Sequence, residues 1–300
     1  MTDAVLTEKL TKPYGERRGV FDLDLQVFEG EIFGFLGPNG AGKSTAIRLL
    51  LDLIRPASGR ALVFGRDCRR DATAVHRLTG YLPGEFSLDA KLTGRQLLTY
   101  LGNLRGGIDW AFTETIVKRL ELDLDRPFGE YSRGNKQKVG LAQAFMHRPP
   151  LLILDEPTGG LDPLNQEAVL ALVRDARANG ATVFFSSHNL SEVEDICDRV
   201  GFIREGRLVR VGPVHEVIRA KGHVVEAICA LAPDIAAFAA LPEISLLAVE
   251  GATVRFHVQG DMRAALALLG RFEPTALTSR EPSLTEIFVG LYEGDDNEAS

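Results

Sequence analysis

Gly37 to Thr45 reads GPNGAGKST and fits the pattern G-x-x-x-x-G-K-[ST]. Residues of these types at this spacing suit a phosphate chain. The glycines let successive backbone N–H groups wrap phosphate oxygens, Lys43 reaches the β- and γ-phosphates, and Ser44 offers an oxygen to Mg²⁺. Asn39, Gly40, Ala41, Gly42 and Thr45 complete the candidate cradle for a nucleoside triphosphate.

A second run, LLILDEP from Leu151 to Pro157, delivers two adjacent carboxylates at the end of an apolar stretch. Beside a phosphate loop, Asp155 is placed to hold the metal shell and Glu156 to orient or deprotonate the attacking water. Glu156 therefore predicts hydrolysis rather than binding alone. His188 ends ATVFFSSH, and ligands bind outside the carboxyl ends of parallel strands, so it is a candidate partner of the γ-phosphate and the water. YSRGNKQK, from Tyr131 to Lys138, opens a helical pattern through Val139, Ala142, Phe145 and Met146. Ser132 there is either an ordinary N-cap or the edge of an anion site, because the first N–H groups of a helix lack intrahelical partners.

The elements that must position these residues alternate. EIFGFLG predicts a buried strand leading into the phosphate loop, AIRLLLDLI the helix after it, and RALVFG and TGYLP two further strands. Gly94 to about Arg148 is helical in pattern, with breaks at Gly106-Gly107 and Pro127. LLILDEP is a strand, Ala168 to Ala178 a helix, ATVFFSSH a strand, and VGFIREGRLVRVG a hairpin turning at Glu205-Gly206. Alternation of this kind predicts an α/β fold with a parallel sheet covered on both faces. A short helix from Pro213 to Ala220 closes this domain, placed at residues 1–222. Residues 223–292 then follow the order βαββαβ, ending in the helix SLTEIFVGLY, which predicts a ferredoxin-like α+β domain, and 293–300 a disordered tail.

In a chain of 300 residues, a hydrophobic content of 45% supports a packed core, and a net charge of −7 argues against a broadly basic nucleic-acid surface, so no nucleic acid is expected. Cys68, Cys197 and Cys229 are widely spaced and suit free thiols. MTDAVLTEKL lacks the basic and apolar regions of a secretory signal. The most apolar window, Ala227 to Val249, is broken by Pro233, Asp234, Pro242 and Glu243 before it reaches the ~20 apolar positions of a membrane span.

GPNGAGKST, YSRGN, LLILDEP, GGLD from Gly159 to Asp162 and SSH, in this order, resemble the nucleotide-binding domain of ABC transporters over about Leu6 to Ala220. The resemblance implies a P-loop NTPase fold with a parallel-sheet core, antiparallel N-terminal strands and a helical subdomain, with ATP and Mg²⁺ as cofactors. It makes YSRGN the signature motif. Ser132 and Gly134 keep their places in it, while Tyr131, Arg133 and Asn135 depart from the common LSGGQ. In that family two domains pair head to tail, so Ser132 and Gly134 would close over ATP on the partner's phosphate loop, with Asp162 at the same interface. Tyr14, in TKPYGE, matches the aromatic that stacks on adenine. One departure stands out: Gly84, in Pro83-Gly84-Glu85, fills the slot of the family's glutamine. The metal contact there is lost, filled by water or taken by Glu85.

YLPGE, SRGN and the C-terminal domain ending in EPSLTEIFVGLY resemble the subgroup serving ABC-2-type exporters, daunorubicin-resistance-like drug efflux ATPases included. That implies an ATPase homodimer driving a separate ABC-2-type permease from the cytoplasmic face of the membrane, for efflux of drugs or other hydrophobic compounds. The competing readings are a soluble ABC ATPase acting on ribosomes or DNA, and a nucleotide-gated regulator. Ribosome-acting relatives usually carry two such domains and DNA-repair ones long coiled coils, and this chain shows neither pattern.

Overall fold

A computed structural model describes residues 2–15, 18–85, 88–219 and 222–287. Compact contacts divide it into Met1–Gly212 and Pro213–Ser300. That division falls ten residues before the boundary expected at 222/223, because the short helix read as closing the first domain groups with the second unit.

The first unit opens with β1 (Asp3–Pro13), β2 (Gly19–Phe28) and β3 (Ile32–Leu36), then α1 (Lys43–Leu50) after the phosphate loop. β4 (Ser58–Val63), β5 (Arg66–Asp67), α2 (Ala72–Leu78) and β6 (Thr79–Leu82) follow. Next come three helices, α3 (Gly94–Asn103), α4 (Trp110–Arg119) and α5 (Arg133–Phe145). The chain then alternates through β7 (Leu151–Asp155), α6 (Pro163–Ala178), β8 (Thr182–Ser187), α7 (Leu190–Ile196), β9 (Arg199–Arg204) and β10 (Arg207–Pro213).

β3, β7 and β8 are buried at every residue, which is why they read as continuous apolar runs rather than alternating ones. They pair in parallel in a sheet of order β10-β9-β3-β8-β7-β6. Phe184 packs between Phe33 and Phe35, with ring centroids 5.9 and 5.2 Å away. The N-terminal strands form a separate antiparallel sheet, β2-β1-β4-β5. Glu205 and Gly206, with φ of 47° and 78°, make the expected turn between β9 and β10.

The helix after the phosphate loop stops at Leu50, short of the expected AIRLLLDLI. Asp52 takes φ 50°, its N–H bonds the Leu49 carbonyl at 3.2 Å, and the Leu53 N–H bonds that of Arg48 at 2.9 Å. This Schellman closure ends the helix although the apolar pattern continues. Neither α2 nor α7 was legible, since each is only 7 residues long.

The second unit holds α8 (Val214–Arg219), β11 (His223–Cys229), α9 (Ile235–Ala239), β12 (Ile244–Glu250), β13 (Thr253–Val258), α10 (Arg263–Gly270) and β14 (Pro274–Arg280). Its antiparallel sheet has order β12-β13-β11-β14, the ferredoxin-like arrangement. Phe238, Phe256 and Leu269 anchor its core. The second half of the expected final helix, residues 288–292, and the tail lie outside the described residues.

Glu286 clasps this unit, accepting from Arg255 at 2.7 Å, from Arg280 at 2.7 and 2.8 Å and from the Ser283 N–H at 2.9 Å. The Arg280 hydrogen bonds hold its carboxyl down to about 2. A folded value below the unfolded one means the ionised carboxylate stabilises the unit fully above the ordinary range. That contribution is lost as pH falls toward about 2. Amide exchange in β11 should therefore accelerate steadily as pH is lowered through that window, after correction for intrinsic rates. Glu286→Gln should weaken this dependence, and equal pH slopes for both proteins would show that the clasp contributes nothing.

Candidate functional site

Neighbouring parallel strands end at one edge of the sheet, and this brings distant motifs together. Register pairs Leu36 with Ser187, Asp155 with Ser186 and Leu82 with Leu154. The next residues of four strands therefore share one rim: the phosphate loop after β3, His188 after β8, Glu156 after β7, and Pro83-Gly84-Glu85 after β6. Between them lies a cleft of about 450 Å³ lined by Asn39, Gly40, Gly42, Lys43, Ser44 and Thr45 on one side. Gly84, Glu85, Asp155, Glu156 and His188 line it on the other, together with Arg133 and Gly159.

Gly42 takes φ 111° as the N-cap of α1, and a Cβ there would come within 2.6 Å of the Gly19 carbonyl oxygen. Only glycine fits, and the turn aims the free N–H groups of α1 at the cleft. Lys43 is 6% exposed; its ammonium donates to the carbonyls of Gly37 at 2.6 Å and Pro38 at 3.3 Å, and lies 3.5 Å from Glu156 Oε1. Ala41 is buried, so it contributes backbone rather than side chain to the loop.

Asp155 is buried, and its Oδ1 accepts from Ser186 Oγ at 2.6 Å. Glu156 has φ 53°, and its N–H donates to the Ser186 carbonyl at 3.1 Å. Its Oε2 pairs with Nδ1 of His188, a ring 65% exposed. Burial, followed by the charge of Asp155, pushes the Tyr81 phenol up to about 12, so Tyr81 stays neutral beside the acidic strand end.

Gly84 stands against Asp155: an added Cβ would lie 3.4 Å from Oδ2. The slot is therefore at the acidic strand end but brings no side chain, while the exposed Glu85 lines the same cleft.

Besides the buried Ala41, four expected binding residues do not line this cleft. Tyr14 is 57% exposed, with Lys12 Nζ 5.8 Å from its ring centroid. Ser132 caps α5, its Oγ accepting from the Asn135 N–H at 3.2 Å, and is itself exposed. Gly134 packs toward the Gly160 carbonyl instead. Asp162 caps α6, and the Asn165 backbone and side-chain donors hold its carboxyl below the usual range.

Ser186 was missed by sequence reasoning, although a hydroxyl closing an apolar strand next to two acids is a readable signal. Glu192 was missed too: it is buried and accepts from Thr158 Oγ1 at 2.9 Å, Asn189 Nδ2 at 3.1 Å and Ser187 Oγ at 3.3 Å, tying the turn after β7 to the strand end carrying His188.

The donor set fits a triphosphate and its metal. Helix N–H groups, the buried Lys43 ammonium and the Ser44 hydroxyl share the cleft with the carboxylates of Asp155 and Glu156. Among the described residues, no group of three or more His, Cys, Asp or Glu could hold a metal alone. Mg²⁺ suits such a partial set, since it commonly binds one or two carboxylates and takes its other ligands from phosphates and water.

Known proteins are similar to this chain. The family model described as ABC transporter matches residues 20–159. The chain is 40% identical over 223 residues to the bacitracin transport ATP-binding protein BcrA of Enterococcus faecalis, covering 72% of this chain and 71% of that protein. It is 33% identical to the daunorubicin resistance ATP-binding protein DrrA3 of Streptomyces coeruleorubidus, over 99% of this chain and 98% of the relative. A solved ATP-binding subunit of an ABC transporter superposes with a TM-score of 0.67 at 30% identity, covering 72% of this chain and 92% of the other. Kinship along nearly the whole chain agrees with the rim of motifs at the sheet edge, and the chain belongs to the ABC transporter family.

Proposed function

We propose that this ATPase is the energy-supplying subunit of an exporter, dimerising head to tail around two Mg-ATP to drive a separate ABC-2-type permease, with drugs or other hydrophobic compounds as cargo. One observation carries the reading most. Lys43, Asp155 and Glu156 meet in one cleft, whereas Ser132, Gly134 and Asp162 lie outside it, as groups meant for a partner's nucleotide would. The names of the bacitracin and daunorubicin relatives support the cargo class. Among the described residues no helix is long and apolar enough to cross a membrane, which suits a subunit held at the cytoplasmic face by its permease. Because Lys43, Ser132, Glu156 and His188 belong to one chain, a homodimer has two complete sites. Residues 1–222 form the nucleotide-binding domain and the ferredoxin-like module an accessory to it.

Within each site Tyr14 stacks on adenine. Asn39, Gly40, Ala41, Gly42 and Thr45 hold the phosphates through the loop and helix start, and Lys43 neutralises the β- and γ-oxygens. Mg²⁺, held by Ser44 and Asp155, supplies further charge neutralisation when bound. Glu156 takes the proton of the attacking water, and His188 holds that carboxylate through Nδ1; its other nitrogen donates to the γ-phosphate only when both ring nitrogens carry protons.

Glu85 replaces the family's glutamine only in part. Ionised, it accepts but cannot donate, and a carboxylate near three phosphates is repelled unless a metal lies between them. Glu85→Ala should change basal ATPase by less than about threefold, a modest effect beside the 10²–10⁴-fold typical of losing a general base. Its larger effect should appear in permease-stimulated turnover, because this loop faces the membrane subunit. ATPase rate against Mg²⁺ concentration, with and without the permease in lipid, measures both. Loss of basal turnover as complete as that of Glu156→Gln would make Glu85 a catalytic ligand in its own right and overturn this reading, and ATPase that no ABC-2-type permease binds or stimulates would remove the exporter reading.

A further inference from the structure

The peptide that carries Glu156 is held in a left-handed conformation that non-glycine residues adopt at a cost, so something must hold it there. On one side Ser186 receives its N–H. On the other, Gln137 of α5 donates from Nε2 to the carbonyl of Glu156 at 3.0 Å and to that of Pro157 at 3.3 Å. Both partners are carbonyl oxygens, which only accept, so the amide nitrogen must face them. Gln137 is buried, 6% exposed, one turn beyond the cap at Ser132.

The first turn of α5, just before Gln137, rests on the segment after Glu156 at two more places. A Cβ at Gly134 would lie 3.1 Å from the Gly160 carbonyl oxygen, and one at Gly160 would lie 3.4 Å from the Arg133 side chain. Displacement of this turn therefore presses on the stretch from Glu156 to Gly160, and only Gln137 joins it to the Glu156 peptide by hydrogen bonds among these contacts.

We propose that Gln137 is a positioning residue that couples the signature turn of a chain to the general base of the same chain. Engagement of Ser132 and Gly134 by the γ-phosphate of one ATP then sets Glu156 for hydrolysis of the other. The inference rests on the head-to-tail reading above. It gives the two sites a direct mechanical connection within each subunit: phosphate, first turn of α5, Gln137 amide, Glu156 carbonyl, Glu156 carboxylate.

The test is a double-mutant cycle in the full chain, assayed for steady-state and single-turnover ATPase. Gln137→Met keeps length and burial but has no donor, and should lower kcat about tenfold with KM for ATP changed less than about twofold. On a Glu156→Gln background the same substitution should remove less than about twofold more of the residual rate, because a residue that acts through Glu156 has nothing left to position. Gln137→Asn, whose amide is one methylene too short for the Glu156 carbonyl, should show the same tenfold loss of kcat and carries the test if Gln137→Met folds poorly. Independent, multiplicative losses would overturn the proposal in favour of a general structural role, and so would an unchanged kcat in Gln137→Met or Gln137→Asn. If instead Glu156→Gln itself turns over ATP normally, Glu156 is not the base, and that result overturns the site reading and the coupling with it.

Discussion

Glu156→Gln is expected to lower ATP turnover by at least about a hundredfold while leaving Mg-ATP binding intact, and to accumulate an ATP-bound dimer. The substitution keeps size and hydrogen-bonding reach but removes the ability to take a proton. The present carboxylate lies between Lys43, at 3.5 Å, and His188, so it has the cationic and imidazole neighbours that place a base over a phosphate loop. Its neutral replacement also removes repulsion from the phosphates, so nucleotide affinity should hold or rise. Phosphate release and light scattering on a sizing column with saturating Mg-ATP give the two readouts. A purely monomeric profile would count against closure around two nucleotides, and normal phosphate release against Glu156 as base.

Lys43→Ala should fail one step earlier. The ammonium is the buried cation of the cleft loop, held at 2.6 Å by the Gly37 carbonyl, and alanine leaves the phosphate chain with backbone donors alone. Loss of charge-assisted hydrogen bonds worth about 1.5–3 kcal/mol predicts roughly a ten- to hundredfold weaker affinity for ATP. The fold should persist, since the loop is shaped by Gly42 and the strand before it. The rise in Tm caused by Mg-ATP should shrink correspondingly at fixed nucleotide concentration. An undiminished thermal shift would move the nucleotide away from this loop. Together the two variants separate binding from turnover, because one removes affinity and the other removes the base.

Some parts of the site were legible because their chemistry is local. The glycine spacing before Lys43 and the apolar run ending in Asp155-Glu156 each declare a backbone shape and a charge within a few residues. Other parts were not. Ser186 and Gln137 act on the backbone of Glu156 from 30 and 19 positions away, so no window around Glu156 contains them. The end of α1 was misjudged for a similar reason: the apolar residues beyond Leu50 continue the pattern, but Asp52 enters a left-handed turn that periodicity does not register. The split at Gly212/Pro213 likewise reflects summed contacts rather than any punctuation in the chain.

The sequence by itself determined the alternation of apolar strands and amphipathic helices, the phosphate loop, the acidic strand end and the βαββαβ order of the second unit. These are short-range properties of hydrophobic period, glycine placement and charge. Tertiary structure alone decided that β3, β8, β7 and β6 lie side by side, because strand order comes from crossovers that bury both faces of a parallel sheet and not from order along the chain. From that adjacency follow the shared rim, the pairing of His188 with Glu156, the side-chain gap at Gly84 beside Asp155, and the grip of Gln137 on the Glu156 peptide.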